Sequence, residues 1–461
     1  MNLKSSIDRL RSSLLVKNQQ STASAEKPLT TSAPTTQESA PESASGNTPA
    51  SVTPACYQFE LFPEYKEYTT MRWYYEKQKF PQNLFQPHVG GSDATVMIQD
   101  REYINYSTYN YLALGFETRV KQASIQAIED FGVGTGSGRS ITGEIDIHRT
   151  FELEVCDALG TEDAVLSVGG YSTNAFTIGY LSRSQDLILY DELIHNSALI
   201  GCKITGSRRI AFPHNDLEAL EQLLNTHRSN FERVFILVEG VYSMDGDIPN
   251  IPRFIELKKK YQALLMVDEA HSLGVIGKRG MGVTDYFDIS GSEIDILFGS
   301  LSKSFGTCGG FVAGPKPLIA MLKYYAPGVL LYGASPTPAN AAAALEALRV
   351  MRAEPERALR LQQNAAYFIE RAKAAGLDTY NSCDSGVVPI MMRDSELALW
   401  MSVRLFEAGI CTYPMMYPIV PRNKCRLRFF INTNHTQQQI DHTMDVITGL
   451  LKVAPKSKGI F

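Results

Sequence analysis

The chain has 461 residues, 44% hydrophobic and 20% charged, with a net charge of −5. That is long enough for two or three domains around a large core. The acidic balance argues against a non-specific nucleic-acid binder, and no apolar run reaches the roughly 20 residues that span a bilayer. Seven scattered cysteines contain no C-x-x-C pair. They fit neither a disulfide framework nor a zinc ribbon and agree with a reducing, cytoplasmic setting. No apolar stretch of secretory type opens the chain.

Residues 1–18 place Leu3, Ile7, Leu10 and Leu14 at helical spacing among basic residues, which predicts a short amphipathic helix. Residues 19–56 are Ser, Thr, Ala, Pro, Gln and Glu with hardly a large aliphatic, and read as a disordered linker. Residues 57–105 form an aromatic-rich N-terminal arm (Phe59, Phe62, Tyr65, Trp73), expected to wrap over the main body.

From 106 to 340 short apolar runs recur: Asp186–Tyr190, Val234–Val238, Ala263–Val267, Ile294–Phe298 and Gly310–Ala313. Amphipathic helical lengths such as Leu217–His227 and Ile251–Tyr261 lie between several of them. Strands spaced by helices predict an α/β fold with a parallel sheet. From 341 to 455 the pattern becomes two helices (Asn340–Ala353 and Glu356–Ala375), short strands and a last helix at Gln437–Val453, a smaller C-terminal α/β domain.

Ligands of open α/β sheets sit at the carboxyl ends of the strands. The residues after four of these runs are Asp191 and His195, Glu239 and Ser243, Asp268 and His271, Ser300 and Lys303. A lysine in the Ser/Gly-rich turn Ser300–Gly306, if desolvated, has a lowered pKa and can form an imine. Asp268, ending a buried strand, needs a cationic partner, and a protonated pyridine nitrogen is one. Lysine and aspartate together are the pair that pyridoxal 5'-phosphate (PLP) demands. Taken singly, each residue has a plainer reading: a solvated lysine, a helix-capping aspartate.

The motifs Tyr109–Leu114, Val168–Asn174, Ile194–Ser197, Glu239–Asp247, Val267–His271, Leu301–Lys303, Tyr417–Pro421 and Arg426–Arg428 resemble, in order and spacing, the α-oxoamine synthase family of fold-type I PLP enzymes. The resemblance runs from about Tyr103 to Leu451 and looks closest to members encoded with polyketide and non-ribosomal peptide pathways. It implies an aspartate-aminotransferase-like fold and a homodimer with shared active sites. The implied activity is decarboxylative condensation of glycine, alanine or serine with an acyl thioester, on an acyl carrier protein or coenzyme A, giving an α-aminoketone.

By the same resemblance Lys303 is the Schiff-base lysine and general base. Asp268 meets the pyridine nitrogen, His195 stacks on the ring, and His271 bonds the phenolic oxygen with Ser243 nearby. Glu239 belongs to the same cofactor set. Gly170 and Tyr171 offer amides, and Ser300 a hydroxyl, to the phosphate. Arg428 grips the amino-acid carboxylate, Asn110 lies in the substrate site, and Ser335 contacts the phosphate of the partner subunit's cofactor. Departures are Ser300 where relatives carry threonine, an unusual Tyr171, and a less regular Ser335–Pro338 turn. Gly132–Arg139, with Gly143, Asp146 and His148, resembles the serine palmitoyltransferase version.

Asp268–His271 also spells a helicase box, but no phosphate-binding G-x-x-x-x-G-K-[ST] loop accompanies it. The rival readings are another fold-type I enzyme, such as an aminotransferase, and a silent scaffold that only binds a carrier protein. Lys258–Lys260 reads as a solvated helix face, with a second reading as a landing site for an acidic carrier.

Overall fold

The computed structural model describes residues 52–77, 86–392, 394–417 and 419–455. The amphipathic helix expected over 1–18 and nearly all of the linker expected over 19–56 lie outside them. Pro54–Thr69 belongs to a separate compact unit, and the residues from Thr70 on form the second. In the first unit two short 3-10 turns precede the helix Pro63–Lys77, which runs on past Thr69, and Tyr57, Phe59 and Tyr65 are exposed. No helix among the described residues is long and apolar enough to cross a membrane.

The second unit begins with three short strands, β1 (His88–Ser92), β2 (Thr95–Ile98) and β3 (Arg101–Asn105). Its centre is a seven-stranded sheet. The strands are β4 (Asp163–Ser167), β5 (Leu187–Asp191), β6 (Arg208–Phe212), β7 (Val234–Glu239), β8 (Leu264–Asp268), β9 (Ile296–Ser300) and β10 (Gly310–Gly314), in the order β4-β10-β9-β8-β7-β5-β6. β5 to β9 pair in parallel, and every residue of β7 is buried, as a sheet covered on both faces requires.

β10 is the exception that makes the sheet mostly parallel, as expected, rather than wholly so. It runs antiparallel to both β9 and β4. Only residues 301–309 join β9 to β10, too few for a crossover helix, so the chain can only turn back. That return places Gly310 opposite both Ser300 and Ser167.

The amphipathic helices form where the spacing predicts: Leu217–His227, Ile251–Tyr261 and Gln437–Val453. The first is capped by the Asp216 carboxylate accepting from Ala219 N, the last by a Thr436/Gln439 capping box. Pro338–Ala353 packs its alanines against Thr118–Phe131 and Asp146–Leu159. Beyond it lie Glu356–Ala374 and strands β11 (Val387–Met391), β12 (Ile410–Cys411), β13 (Tyr413–Met415) and β14 (Arg426–Phe430). The last part forms a three-stranded sheet β11-β14-β13, while β12 pairs with β3 and extends the N-terminal strands.

Lys258 departs from the solvated face expected for it. Only 8% exposed, it bonds Asp295 at 2.7 Å and ties the helix Ile251–Tyr261 to the entry of β9. Lys259 and Lys260 are exposed and paired with Glu293 and Glu221.

Candidate active site

The parallel register brings Asp191, Glu239, Asp268 and Ser300 to one edge of the sheet, with Glu239 directly opposite Asp268. Asp268 is buried, and burial pushes its carboxyl up. It accepts hydrogen bonds from Ala270 N (2.9 Å) and Asn174 Nδ2 (2.7 Å) and has no cation at ion-pair distance among the described residues. Glu239 is buried beside it and pushed well up by burial and by that carboxylate, and Ser243 N donates to it. Glu269, the next residue after Asp268, serves structure instead: it accepts from Val283 N and bonds Ser272.

Lys303 follows β9 in a turn closed by Gly306 N donating to the Lys303 carbonyl at 2.8 Å. Gly306 has φ +66°, and a side chain there would strike the backbone of Gly115, so glycine is required. The Lys303 amine makes no hydrogen bond or ion pair among the described residues. Desolvation lowers it to about 8, against the upward pull of Asp268 and Glu239. Only the neutral amine is nucleophilic. Imine formation with pyridoxal phosphate by the cofactor-free protein should therefore accelerate as pH rises through about 8, rather than near 10.5 as for an ordinary lysine; stopped-flow absorbance across pH 6.5–10 reads the midpoint.

His195 caps the helix Asn196–Ile204, and its Nδ1 accepts from Ser197 N (3.2 Å) and lies 2.7 Å from Ser197 Oγ. His195 is exposed at the edge of the site. His271 is buried. Its Nδ1 lies 2.8 Å from Tyr111 OH, and burial drives it well below the usual imidazole range. A neutral ring that accepts from the tyrosine at Nδ1 carries its proton on Nε2.

Arg428 rises from the middle of β14 and is 8% exposed. Its Nη1 donates to Ser243 O at 2.9 Å, its guanidinium lies over Phe430 at 4.5 Å, and its Nε is buried without a partner. No carboxylate pairs with it among the described residues. Its strand neighbour Arg426, by contrast, is held by the buried Asp245.

Gly170 opens the helix Gly170–Leu181 against β10. A side chain at Gly310 would lie 2.7 Å from Gly170 Cα, and one at Gly170 would lie 2.9 Å from Ser300 Oγ. Two glycines thus bring a helix N-terminus and a serine hydroxyl together, a geometry that binds anions. Tyr171 is half-exposed, bonds Asn196 at 2.6 Å and meets His195 edge-on. Asn110 accepts from Gly115 N and borders an open cavity of about 300 Å³ with Ser107, Tyr109, Phe116 and Ser302. Ser335 stands apart from this group. Its hydroxyl lies 2.8 Å from the carbonyls of both Ser137 and Gly143, so its one proton is already engaged. Arg139 bonds Glu144, Glu152 and the Leu166 carbonyl and holds the glycine-rich loop to β4, and buried His148 bonds the Pro336 carbonyl.

The family model for aminotransferase class I and II matches residues 101–447. The chain is 38% identical over 352 residues to the 8-amino-7-oxononanoate synthase of Petrotoga mobilis, covering 76% of this chain and 89% of that one. It is 34% identical over 370 residues to the serine palmitoyltransferase of Sphingobacterium spiritivorum, covering 80% and 92%. The chain belongs to the aminotransferase class I and II family, and within it to the α-oxoamine synthases. Among solved structures, a PLP-bound serine palmitoyltransferase from S. paucimobilis superposes with a TM-score of 0.81 at 28% identity, over 85% of this chain and 98% of that one. The 8-amino-7-oxononanoate synthase of Francisella tularensis gives 0.66 at 26%, over 76% and 98%.

The site of this synthase fits a flat, phosphorylated pyridine aldehyde on three counts: a buried carboxylate without a cation, an unpaired amine beside it, and a glycine-lined helix N-terminus next to a hydroxyl. Asn174 is a residue that the sequence motifs contain but that spacing alone does not single out. Its amide donates to both Asp268 and Ser197 Oγ (3.0 Å), so one side chain aligns Asp268 and the serine that steadies His195. Asn174→Ala should weaken PLP retention about tenfold, the value of one hydrogen bond to a charged group; equilibrium ultrafiltration measures it.

Proposed function

We infer that the protein is a PLP-dependent α-oxoamine synthase that joins a small amino acid to an acyl thioester with loss of carbon dioxide. The observation that carries this is the convergence of the unpaired Lys303 amine, the cation-free Asp268 and the carboxylate-free Arg428 at one sheet edge of an α-oxoamine synthase fold.

When bound, PLP supplies an electron sink for bonds broken at the amino acid's α-carbon. The chain does the rest. Lys303 would hold the cofactor and, once released, take the α-proton on Nζ; its lowered pKa leaves part of the amine free at neutral pH. Asp268 would keep a proton on the ring nitrogen, and that cation in turn would hold Asp268 ionised. His195 would cover one ring face and His271 would donate from Nε2 to the phenolic oxygen. Arg428 would bind the carboxylate through its two-pronged fork. Gly170, Tyr171 and Ser300 would bind the phosphate, Glu239 and Ser243 would complete the cofactor set, and Asn110 would lie in the substrate site. In the net reaction a C–C bond forms between the α-carbon and the acyl carbonyl, the C–S bond breaks to release thiol, the bond to the carboxyl carbon breaks to release carbon dioxide, and a proton returns to the α-carbon.

Titrating the holoprotein with single amino acids tests the first half. One small amino acid should shift the cofactor's visible absorbance at micromolar to millimolar concentration. A protein that responds to none would contradict the reading.

The finer reading is a homodimer with a carrier-bound acyl donor, acting in the cytoplasm. Tyr324, Tyr325 and Tyr332 are 67–89% exposed, and Val133 and Ile141 of the glycine-rich loop about 80%, an apolar set that suits burial against a second copy. A tether of the composition of residues 19–56 would let the segment 1–18 hold a carrier near the site at high effective concentration. Deleting residues 1–55 should then lower turnover with a carrier-bound donor while sparing coenzyme A thioesters; equal loss with both donors overturns the tether.

A further inference from the structure

His214 follows β6 and is absent from the group around Lys303, yet both of its ring nitrogens face carboxylates. Nδ1 lies 2.9 Å from Asp191 Oδ1 and Nε2 lies 2.9 Å from Asp247 Oδ2. Two carboxylate acceptors on opposite nitrogens require two N–H donors, which is the imidazolium form. The two acids raise this histidine to about 10 despite the opposing effect of burial. Buried Tyr242 meets the ring edge-on at 4.5 Å. Asn215 repeats the bridge, donating from its backbone to Asp191 (2.8 Å) and from its side chain to Asp247 (2.6 Å). His214, Asp245 and Asp247 are close enough together to hold a cation, but Arg426 already neutralises Asp245 and the imidazolium neutralises Asp247.

The two acids lead to different parts of the site. Asp191 fixes the turn that ends at His195: its carboxylate accepts from Leu193 N (2.9 Å) and its carbonyl from Ile194 N (3.0 Å). Asp247 closes the loop Gly240–Asp247 by accepting Tyr242 N at its carbonyl (3.1 Å). That loop aims Arg428, through the Ser243 carbonyl at 2.9 Å and the Met244 sulfur at 3.4 Å.

We propose that His214 is a positioning residue: held between Asp191 and Asp247, it locks the His195 turn to the Ser243–Met244 loop and so fixes the spacing between the ring-covering and carboxylate-binding groups. This rests on the reading of His195 and Arg428 given above. It makes a partitioned prediction that a merely structural tie does not. Cutting the bridge on the Asp247 side loosens Arg428, cutting it on the Asp191 side loosens His195, and removing the histidine loosens both.

The test uses the holoenzyme and two equilibrium constants: amino-acid affinity from the cofactor's absorbance change, and PLP affinity from ultrafiltration. D247N should weaken amino-acid binding about tenfold with PLP affinity within twofold; D191N should weaken PLP affinity about tenfold and amino-acid binding less; H214Q should weaken both. Equal changes in both constants for D247N and D191N, or a fall in melting temperature for H214Q with both constants unmoved, would overturn the proposal. The two aspartate variants carry the test where H214Q does not fold. A wild-type holoenzyme that binds no small amino acid would instead strike the reading of Arg428. The PLP measurement decides the proposal even then, because unchanged PLP affinity in D191N and H214Q overturns it.

Discussion

Lys303→Ala is expected to lower turnover at least about a thousandfold while leaving the protein folded, because a positioned general base alone contributes roughly 10²–10⁴ and the same amine anchors the cofactor. The two neighbouring histidines are already engaged: His195 Nδ1 by Ser197 and His271 Nδ1 by Tyr111. The fold should tolerate the change, since the Lys303 amine supports no hydrogen bond or ion pair among the described residues. A half-buried amine without a partner costs free energy, so the variant should melt within a few degrees of the wild type, or above it. Thiol release, calorimetry and gel filtration with added PLP measure the three consequences: loss of rate, intact fold, and cofactor that elutes free. A variant with a tenth of the wild-type rate would assign the base elsewhere.

Arg428→Lys is expected to lower kcat/KM for the amino acid about a hundredfold with little change in KM for the acyl thioester. The guanidinium is aimed by Ser243 O and the Met244 sulfur at Nη1 and by Tyr109 OH at Nη2, and rests on Phe430 at 4.5 Å. Lysine keeps the charge but forfeits the planar fork and this stacking, and truncating one partner of a buried charged pair costs about 2–5 kcal/mol. A merely structural arginine would move both KM values together. Steady-state kinetics with each substrate varied in turn separates the outcomes.

Much of the site was legible because its residues end continuous apolar runs. Val234–Val238 and Ala263–Val267 read as buried strands, so Glu239 and Asp268 fall at the sheet edge by register alone. Helices with strong caps were equally plain, as at Leu217 and Gln437. Three kinds of feature escaped. Strands β1 (HVGGS) and β6 (RRIAF) lie at sheet edges with exposed residues, so no apolar run marks them. The reversal of β10 depends on loop length rather than on its own residues. Asn174, Tyr111 and His214 act through partners 94, 160, and 23 and 33 residues away, and no local spacing encodes such pairs. A buried asparagine one turn into the helix that Gly170 opens was the one available signal.

The most direct test of the central claim is a product balance. The holoprotein, one small amino acid and an acyl thioester are mixed, and free thiol, carbon dioxide and α-aminoketone are counted in the same sample. Decarboxylative condensation predicts the three in a 1:1:1 ratio, none of them without the amino acid. An amino group passed to an added keto acid, with thioester and carboxylate both intact, would contradict it and make the protein an aminotransferase.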